Sequence, residues 1–531
     1  MKITRRRTLG QGLAVLGTAL TLPNLTLPGP AGAQGQALRL GPPTDFDWNW
    51  LIDHARQRAA GPYVEPPRPA PGVVQEIDYD AHGKLRLHPE YALWGTEGSV
   101  YPITFVHLGR YFPKSVRMHQ VENGQAREVL YAPDYFTIPA DHPAARIPPD
   151  ASAFAGFWVQ ESRRSGDWRA REPWVTFVGA SYFRAVGPLG QVGLSARGIA
   201  INVGDPGPEE FPDFTQFWFT PTQREGDPQV VYALLEGPSL TGAYRFVMER
   251  GRAVVMEVEK RLFIRRDIAR LGIAPLTSMF WFGEYGDQRL KDWRPEVHDS
   301  DGLALWTGTG ERIWRPLNNP PRLMTSSFQD GDPRGFGLSQ RDRSYAHYLD
   351  GVNYHHRPSC WVEPLDSWGE GAVQLVELPT DDEIHDNIVA YWRPADPVLA
   401  GSSLTYRYRL HWVEFEPFFP VVDLARCVAT RMGRGGEAGK PRPEGVVKFV
   451  VEFDGPSLAD IPWGARPKVV VSASRGEVSL NRSEPVWYTP RWLASFDLTV
   501  TGSEPVELRC FLELEGRTLT ENWLYQYHPP A

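Results

Sequence analysis

Most of this 531-residue chain alternates between apolar and polar side chains with a period of two, the pattern of a β-strand with one buried face. Segments 104–108, 174–182, 230–235 and 253–263 show it clearly. The 50 glycines and 49 prolines cluster between such segments, where they mark turns. No long amphipathic helices separate the segments, as a parallel α/β sheet would require. The sequence therefore predicts an all-β protein built from antiparallel sandwiches.

The length of the chain exceeds one ordinary hydrophobic core and predicts two domains. A single helix is expected early, from Trp48 to Arg58, where apolar residues recur at helical spacing. A connector with two prolines at residues 394–402 separates a large domain, 34–393, from a smaller one, 403–531. The smaller domain has about seven short alternating segments, which is the size of an immunoglobulin-like sandwich.

Residues 1–33 have the features of a twin-arginine signal peptide. Arg5 and Arg6 precede a moderately apolar segment that ends in the small-residue cleavage pattern of Ala31 and Ala33. Glycines interrupt the apolar segment, which is too short and too weak to span a bilayer stably. The sequence therefore predicts export of a folded protein to the periplasm.

Charge and cysteine content narrow the candidate ligands. Removal of the four basic residues of the signal peptide changes the formal net charge from −8 to −12. Such an acidic protein repels phosphate, so no nucleic-acid partner is predicted. The aromatic content of 12% fits a sugar-stacking groove and an aromatic β core equally well. Cys360, Cys427 and Cys510 lie in apolar or strand-like segments, where we expect buried thiols.

Common catalytic signatures are absent from the sequence. It has no His-Glu-x-x-His zinc motif, no Gly-x-Ser-x-Gly elbow and no Walker loop. Residues 299–302 mimic the start of a calcium loop but lack its later acidic ligands. No metal and no cofactor are therefore predicted.

Polar, acidic and aromatic residues are concentrated between residues 271 and 392. The distinctive strings there and elsewhere are LTSMFWFGE at 276–284, RPEVHDSDGL at 294–303, WRPLNNP at 314–320, DNIVAYW at 386–392, GASYFRA at 179–185 and WLYQY at 523–527. These strings resemble the bacterial periplasmic glucan biosynthesis protein G and D family, in order along essentially the whole mature chain. The twin-arginine signal resembles the D branch.

This resemblance implies a large galactose mutarotase-like β-sandwich followed by a small immunoglobulin-like domain. It also implies a periplasmic role in shaping the β-1,2-linked glucose backbone of osmoregulated glucans. By the family's motifs, the general acid falls on Asp386 and the general base on Asp299. Besides β-1,2-glucan, the membrane glucan synthase and the twin-arginine export machinery are candidate partners.

The chemistry of the two aspartates suits this role. Glycoside cleavage needs one protonated and one ionised carboxyl on opposite sides of the anomeric carbon. Asp386 precedes the apolar segment 388–392, where partial desolvation would raise its pKa. Asp299 shares a loop with His298 and Asp301, which could keep it hydrogen-bonded and ionised. Either aspartate could instead cap a turn or a strand end.

Six other residues are candidate substrate contacts. The aromatic side chains among them could form the walls of a sugar groove or belong to the core. Glu383, in the acidic loop 381–383, could shape a subsite or be part of a solvated charge cluster. The six are Asp301, Tyr354, Glu383, Trp281, Trp306 and Arg357.

The sequence is compatible with three functions. The first is a glycoside hydrolase or transglycosylase acting on β-1,2-glucan, and the second is a non-catalytic glucan-binding scaffold. The third, a polysaccharide lyase, rests on fold analogy alone. A lyase acts on uronates and needs a cationic subsite, which the acidic balance of the chain disfavours.

We predict that replacing both Arg5 and Arg6 by lysine leaves the precursor in the cytoplasm, because the signal depends on the arginine pair. Cell fractionation and immunoblotting measure the distribution. Normal periplasmic delivery of this double variant would contradict the twin-arginine assignment.

Overall fold

The computed structural model describes residues 38–205, 207–285, 292–417, 423–462 and 464–530. The predicted signal peptide at 1–33 lies outside these ranges. Within them, strands dominate and are arranged in several mainly antiparallel sheets, which confirms the predicted all-β sandwich class. No helix in the described ranges is both long enough and apolar enough to cross a membrane.

The strands are numbered in chain order. The first part of the chain forms β1 (Thr44–Asp45), β2 (Arg86–Leu87), β3 (Ile103–His107), β4 (Arg117–Glu122), β5 (Gln125–Glu128), β6 (Phe136–Thr137), β7 (Phe154–Val159), β8 (Val175–Val178), β9 (Tyr182–Ala185), β10 (Ser195–Arg197), β11 (Ala200–Ile201), β12 (Asp213–Phe219), β13 (Gln229–Glu236), β14 (Leu240–Arg250), β15 (Val254–Ile264), β16 (Leu271–Ser278) and β17 (Phe280–Phe282). The remainder forms β18 (Val297–His298), β19 (Gly302–Trp306), β20 (Arg312–Pro316), β21 (Met324–Gly331), β22 (Gly335–Ser339), β23 (Ser359–Pro364), β24 (Glu370–Glu377), β25 (Ile388–Pro394), β26 (Ser403–Val413), β27 (Arg426–Arg434), β28 (Val446–Asp454), β29 (Lys468–Ala473), β30 (Glu477–Pro485), β31 (Trp492–Thr499), β32 (Val506–Leu514), β33 (Arg517–Thr518) and β34 (Asn522–Tyr527).

The helices are short, and the longest corresponds to the predicted one. They are α1 (Trp48–Ala60), α2 (Pro71–Glu76), α3 (Tyr79–His82), α4 (Tyr345–Tyr348) and α5 (Pro456–Ala459). Single 3₁₀ turns lie at Pro89–Tyr91, Pro133–Tyr135, Pro143–Arg146, Trp168–Ala170 and Tyr354–His356. The carboxylate of Asp47 caps α1 by accepting from the N–H of Trp50 at 2.7 Å. Helix α1 buries Leu51 and Ala55.

A large sheet and a second sheet form the main sandwich. The large sheet has 16 strands in the order β1-β5-β4-β12-β13-β14-β15-β26-β23-β22-β19-β20-β34-β32-β29, with β33 beside β32. The second sheet has ten strands in the order β21-β24-β25-β16-β10-β9-β8-β7-β3, with β11 beside β16.

Phenylalanine rings fill the space between these two sheets. Phe157 of the second sheet lies 4.8 Å from Phe217 of the large sheet, measured between ring centroids. Phe177 and Phe183 contact Phe246 across the same space, at 5.1 and 5.3 Å. All five rings are buried. Many of the abundant aromatic residues therefore serve the core, as one of the two sequence interpretations proposed.

A smaller sandwich is formed by the C-terminal part of the chain. Its four-stranded sheet has the order β27-β28-β31-β30 and faces the β34-β32-β29 arm of the large sheet. Phe449 lies between the two layers, 5.2 Å from Phe496 and 5.5 Å from Tyr527. The two layers together form a β-sandwich in the C-terminal part of the chain.

The pairing of β26 bears on the predicted start of the smaller domain at residue 403. Strand β26 pairs with β15 and β23 in the interior of the large sheet. The connector at 394–402 therefore carries the chain from β25 in the second sheet to β26 in the large sheet. Its prolines mark a crossover within the first sandwich, and we propose that the division lies between Val413 and Arg426.

One predicted strand is two strands in the structure. The alternating segment 174–182 is interrupted between β8 and β9. Gly179 and Ala180 there have φ values of 78° and 42°, in the left-handed region, so the chain turns back on itself. The three cysteines are buried free thiols, and their burial was predicted.

A buried arginine, Arg341, joins the two sandwiches. Its Nε donates to Oε1 of Glu416 at 3.0 Å, and its Nη1 donates to Oε1 of Glu521 at 2.6 Å. Nη1 also donates to the carbonyl of Cys427 at 2.9 Å, and the guanidinium lies 3.7 Å from the centre of the Trp314 ring. All three charged side chains are at most 2% exposed. Although burial disfavours the charge, Glu416 and Glu521 raise the pKa of Arg341 above its usual value.

We predict that Arg341→Met lowers the free energy of unfolding by about 3–5 kcal/mol, because two buried carboxylates lose their cation. Adding Glu416→Gln and Glu521→Gln should restore part of this stability by removing the unpaired charges. Urea unfolding followed by fluorescence measures both variants. An unchanged unfolding midpoint for Arg341→Met would show that the triad does not hold the sandwiches together.

Candidate functional site

Asp299 and Asp386 lie beside the same short stretch of backbone. Strand β17 pairs with β18, and the N–H of Asp299 donates to the carbonyl of Met279 at 2.9 Å. On the other side, β25 begins immediately after Asp386 and Asn387 and pairs with the end of β16. The connection from β16 to β17 therefore positions both predicted catalytic residues.

Asn387 holds the Asp386 side of this arrangement. Its Oδ1 accepts from the N–H of Phe280 at 2.8 Å, and its Nδ2 donates to the carbonyl of Phe280 at 2.9 Å. The same Nδ2 donates to the carbonyl of Leu378 at 3.0 Å. Because Asn387 is buried, these bonds replace water and fix the backbone next to Asp386.

Arg357 connects the two aspartates electrostatically. Its Nη1 forms an ion pair with Oδ1 of Asp299. Its charge also acts on Asp386 and favours the ionised form of that carboxyl. The guanidinium lies 4.1 Å from the centre of the Tyr354 ring. The structure thus brings together four of the predicted site residues.

Two more buried arginines surround Asp386. Arg184 lies on β9 and Arg197 on β10. Arg197 pairs with Oε1 of Glu209 at 2.8 Å and donates to Oγ1 of Thr277 at 2.6 Å. Burial raises the pKa of Asp386, although Arg197, Arg184 and Arg357 oppose the rise. Burial also lowers the pKa of Arg184 to about 10 and that of Arg357 to about 9.

Glu383 lies three residues before Asp386 and belongs to the same network. Its Oε2 accepts from the hydroxyl of Tyr354 at 2.6 Å. Arg294 donates to both of its carboxylate oxygens, at 2.9 and 3.1 Å. Burial opposes ionisation of Glu383, but these hydrogen bonds bring its pKa below the usual value. Glu383 is therefore part of an ordered ion-pair cluster rather than a freely solvated charge.

His298 and Asp301, the predicted partners of Asp299, contact other residues. Nε2 of His298 contacts Oε2 of Glu296 and Nδ1 contacts Oε1 of Gln340, each at 2.9 Å. Burial opposes protonation of His298, but Glu296 raises its pKa above the usual value. Oδ2 of Asp301 accepts from the backbone N–H groups of Arg341 and Asp342, both at 2.8 Å. Asp299 pairs instead with Arg357, a residue distant in sequence.

Asp301 itself has the contacts of a structural residue. Burial raises its pKa to about 6. Its Oδ1 is buried and accepts no hydrogen bond from the residues that the structure describes. The two backbone donors to Oδ2 anchor the chain that follows β22, so this contact organises the loop.

The three aromatic residues predicted to line a sugar groove differ in their solvent exposure. Tyr354 is 3% exposed, so its ring is core rather than an open wall, and only its hydroxyl acts on the site. Trp306 is half-buried, with the Arg312 guanidinium 3.4 Å from its ring centre. It also stands at the far end of β19, ~16 Å along the strand from Asp301. Trp281 is half-buried and packs against the hydrophobic cluster that contains Tyr354, so it remains a candidate wall.

A neighbouring cluster could in principle hold a metal ion. Potential ligand atoms of Glu296, Asp342 and His347 lie within 4.8 Å of one another. Nδ1 of His347 already contacts Oδ2 of Asp342, and Glu296 is bonded to His298. Each of the three side chains thus has at least one polar partner within the protein.

Residues 46–527 match the family described as "Periplasmic glucan biosynthesis protein, MdoG". The chain is 54% identical to "Glucans biosynthesis protein D 2" of Ralstonia nicotianae, over 99% of this chain and 98% of that protein. It is 43% identical to "Glucans biosynthesis protein D" of Xanthomonas campestris pv. campestris, over 99% and 98%. The chain belongs to this family.

Three residues of this family member's candidate site were missed by sequence reasoning: Arg184, Arg197 and Arg294. Arg184 and Arg197 lie in strands in which every residue is buried. A charged residue inside an otherwise apolar strand is the signal that could have identified Arg184, since buried charges need partners. The negative net charge of the chain gave no sign of these buried arginines, because it sums over all residues wherever they lie.

We predict that Asn387→Ala lowers the free energy of unfolding by about 1–3 kcal/mol, because it leaves buried backbone groups without partners. Asn387→Asp should be no better, because a carboxylate cannot donate to the carbonyls of Phe280 and Leu378. Thermal unfolding of both variants tests whether the hydrogen bonds of Asn387 stabilise the protein. Wild-type stability for both would contradict it.

Proposed function

We propose that this protein cleaves or transglycosylates β-1,2-glucan in the periplasm, with Asp386 as general acid and Asp299 as general base. The observation that carries the proposal is that both aspartates flank the Met279–Phe280 backbone and interact with Arg357. Membership of a family of periplasmic glucan biosynthesis proteins supports a glucan as the ligand.

The environments of the two carboxyls differ in the sense that the chemistry requires. Burial raises the pKa of Asp386, which favours a proton on this group and suits protonation of the leaving oxygen. Asp299 forms a direct ion pair with Arg357, and a neighbouring cation favours the ionised form of a carboxyl group. Two carboxyls in contrasting states are the requirement for acid–base cleavage of a glycosidic bond.

Hydrolysis and transglycosylation use the same groups in this scheme. Asp386 protonates the departing sugar oxygen, and Asp299 takes a proton from the attacking hydroxyl. The acceptor is water in the first reaction and a sugar hydroxyl in the second. Half-buried Trp281, next to the loop that carries Glu383, would supply a stacking surface for a glucose ring.

We predict that Asp386→Asn and Asp299→Asn each lower turnover of linear β-1,2-glucan about 10²–10⁴-fold while glucan affinity stays nearly unchanged. An amide keeps the shape of the carboxyl but cannot transfer the proton. Product analysis by chromatography measures turnover, and calorimetry measures affinity.

Glu504→Gln is the matched control for these two variants. It removes an exposed carboxylate that pairs with Arg322, and turnover should stay at the wild-type rate. Full rates in both Asn variants would refute the assignment of the two aspartates. Binding without any product in the wild type would instead establish the alternative, a non-catalytic glucan-binding protein.

The dependence of activity on pH follows from the acid role. Asp386 acts only while protonated, so kcat/KM should fall as the pH rises through its raised pKa. Arg184→Met removes one positive charge that lowers this pKa, so the alkaline limb should move to higher pH. The exposed Arg322, paired with Glu504, provides the control Arg322→Met, which should leave the profile unchanged. A shift of the limb to lower pH would contradict the acid assignment.

A further inference from the structure

Arg294 lies at the centre of a cluster of three carboxylates. Its Nε donates to Oδ1 of Asp292 and its Nη2 to Oδ2 of the same residue, both at 2.9 Å. Its Nη1 donates to Oδ2 of Asp350 and to Oε2 of Glu383, both at 2.9 Å. Nη2 donates to Oε1 of Glu383 at 3.1 Å. Every N–H of the guanidinium thus has a carboxylate acceptor.

These carboxylates belong to three segments that are separate in sequence. Asp292 and Arg294 precede β18, which leads directly into Asp299. Asp350 lies between α4 and the turn that contains Tyr354. Glu383 lies in the loop that leads to Asp386. One side chain therefore ties together the segments that carry both aspartates and Arg357.

A chain of contacts extends from Arg294 to Asp299. Glu383, held by Arg294, accepts from the Tyr354 hydroxyl at 2.6 Å. The Tyr354 ring lies beneath the Arg357 guanidinium, at 4.1 Å. Arg357 in turn forms the ion pair with Asp299. A displacement of Arg294 would therefore affect the positions of both Asp386 and Asp299.

We propose that Arg294 is a positioning residue that sets the placement of Asp386 relative to Asp299. This inference rests on the proposed function, because it assigns a consequence for proton transfer. Arg294 does not contact the substrate in this role, since its donors are all used and its side chain is 8% exposed. Lysine cannot replace it, because an ammonium lacks the planar fork that grips two oxygens of Glu383.

Steady-state kinetics of Arg294→Lys on linear β-1,2-glucan test the proposal. We expect kcat to fall about 10–100-fold, because a displacement of about 1 Å in reacting groups can have this effect. KM should stay within about threefold, since substrate contacts are retained. A rise in KM with unchanged kcat would overturn the proposal and make Arg294 a binding residue.

Two further variants separate positioning from general stability. Arg270→Lys changes another arginine–carboxylate pair, with Asp205 at 2.8 Å, and should keep full kcat. Glu383→Gln should lower kcat, and the double variant with Arg294→Lys should fall little further, because both act through one contact. Independent, multiplicative losses would contradict a shared path.

Hydrogen exchange supplies a readout that does not depend on catalysis. In Arg294→Lys, amide exchange should quicken in 350–354 and 382–387 but not in β25, whose pairing with β24 is intact. Unchanged exchange in both loops would overturn the proposal, whatever the kinetics. Absence of product from the wild type would refute the proposed function, while the exchange pattern would still decide whether Arg294 positions these loops.

Discussion

The buried ion cluster of Arg341 determines how the two halves of the molecule meet. Its side chain binds Glu416 at the end of the first sandwich and Glu521 in the second. Its backbone N–H donates to the carboxylate of Asp301, which lies two residues after Asp299. The residue that joins the sandwiches thus also anchors the loop of the candidate base. Buried charges are tolerated only when paired, so the junction of the sandwiches and the loop of the candidate base depend on the same residue.

The same constraint organises the candidate site. Arg197 and Arg357 each face a carboxylate, Glu209 and Asp299, and the charge of Asp386 acts on both arginines. Strands β9 and β10 of the second sheet supply Arg184 and Arg197, the turn before β23 supplies Arg357, and the loops next to β18 and β25 supply the aspartates. The site is therefore assembled from segments that are distant in sequence. No single stretch of sequence contains enough of it to be functional alone.

Local sequence patterns predicted the strands whose position is determined by the residues within them. Alternation over 230–235 and 253–263 predicted β13 and β15 within one residue at each end, because one buried face determines the period. Composition could not show that 394–402 crosses between sheets, since pairing partners of β26 are distant in sequence. For the same reason the loop suggested His298 and Asp301 as partners of Asp299, whereas the partner is Arg357. Asp386 and Asp299 came from family motifs, and geometry then placed both beside one backbone segment.

Asp386 is poised between two opposing effects. Burial favours its protonated form, while three arginines favour its ionised form, and burial prevails. Under the proposed function, a bound glucan would displace water from this half-buried carboxyl and strengthen the first effect. The arginines would not move, because Arg197 and Arg357 are held by Glu209 and Asp299. Substrate binding would therefore raise the pKa of Asp386 further and favour the protonated form that the proposed acid role requires.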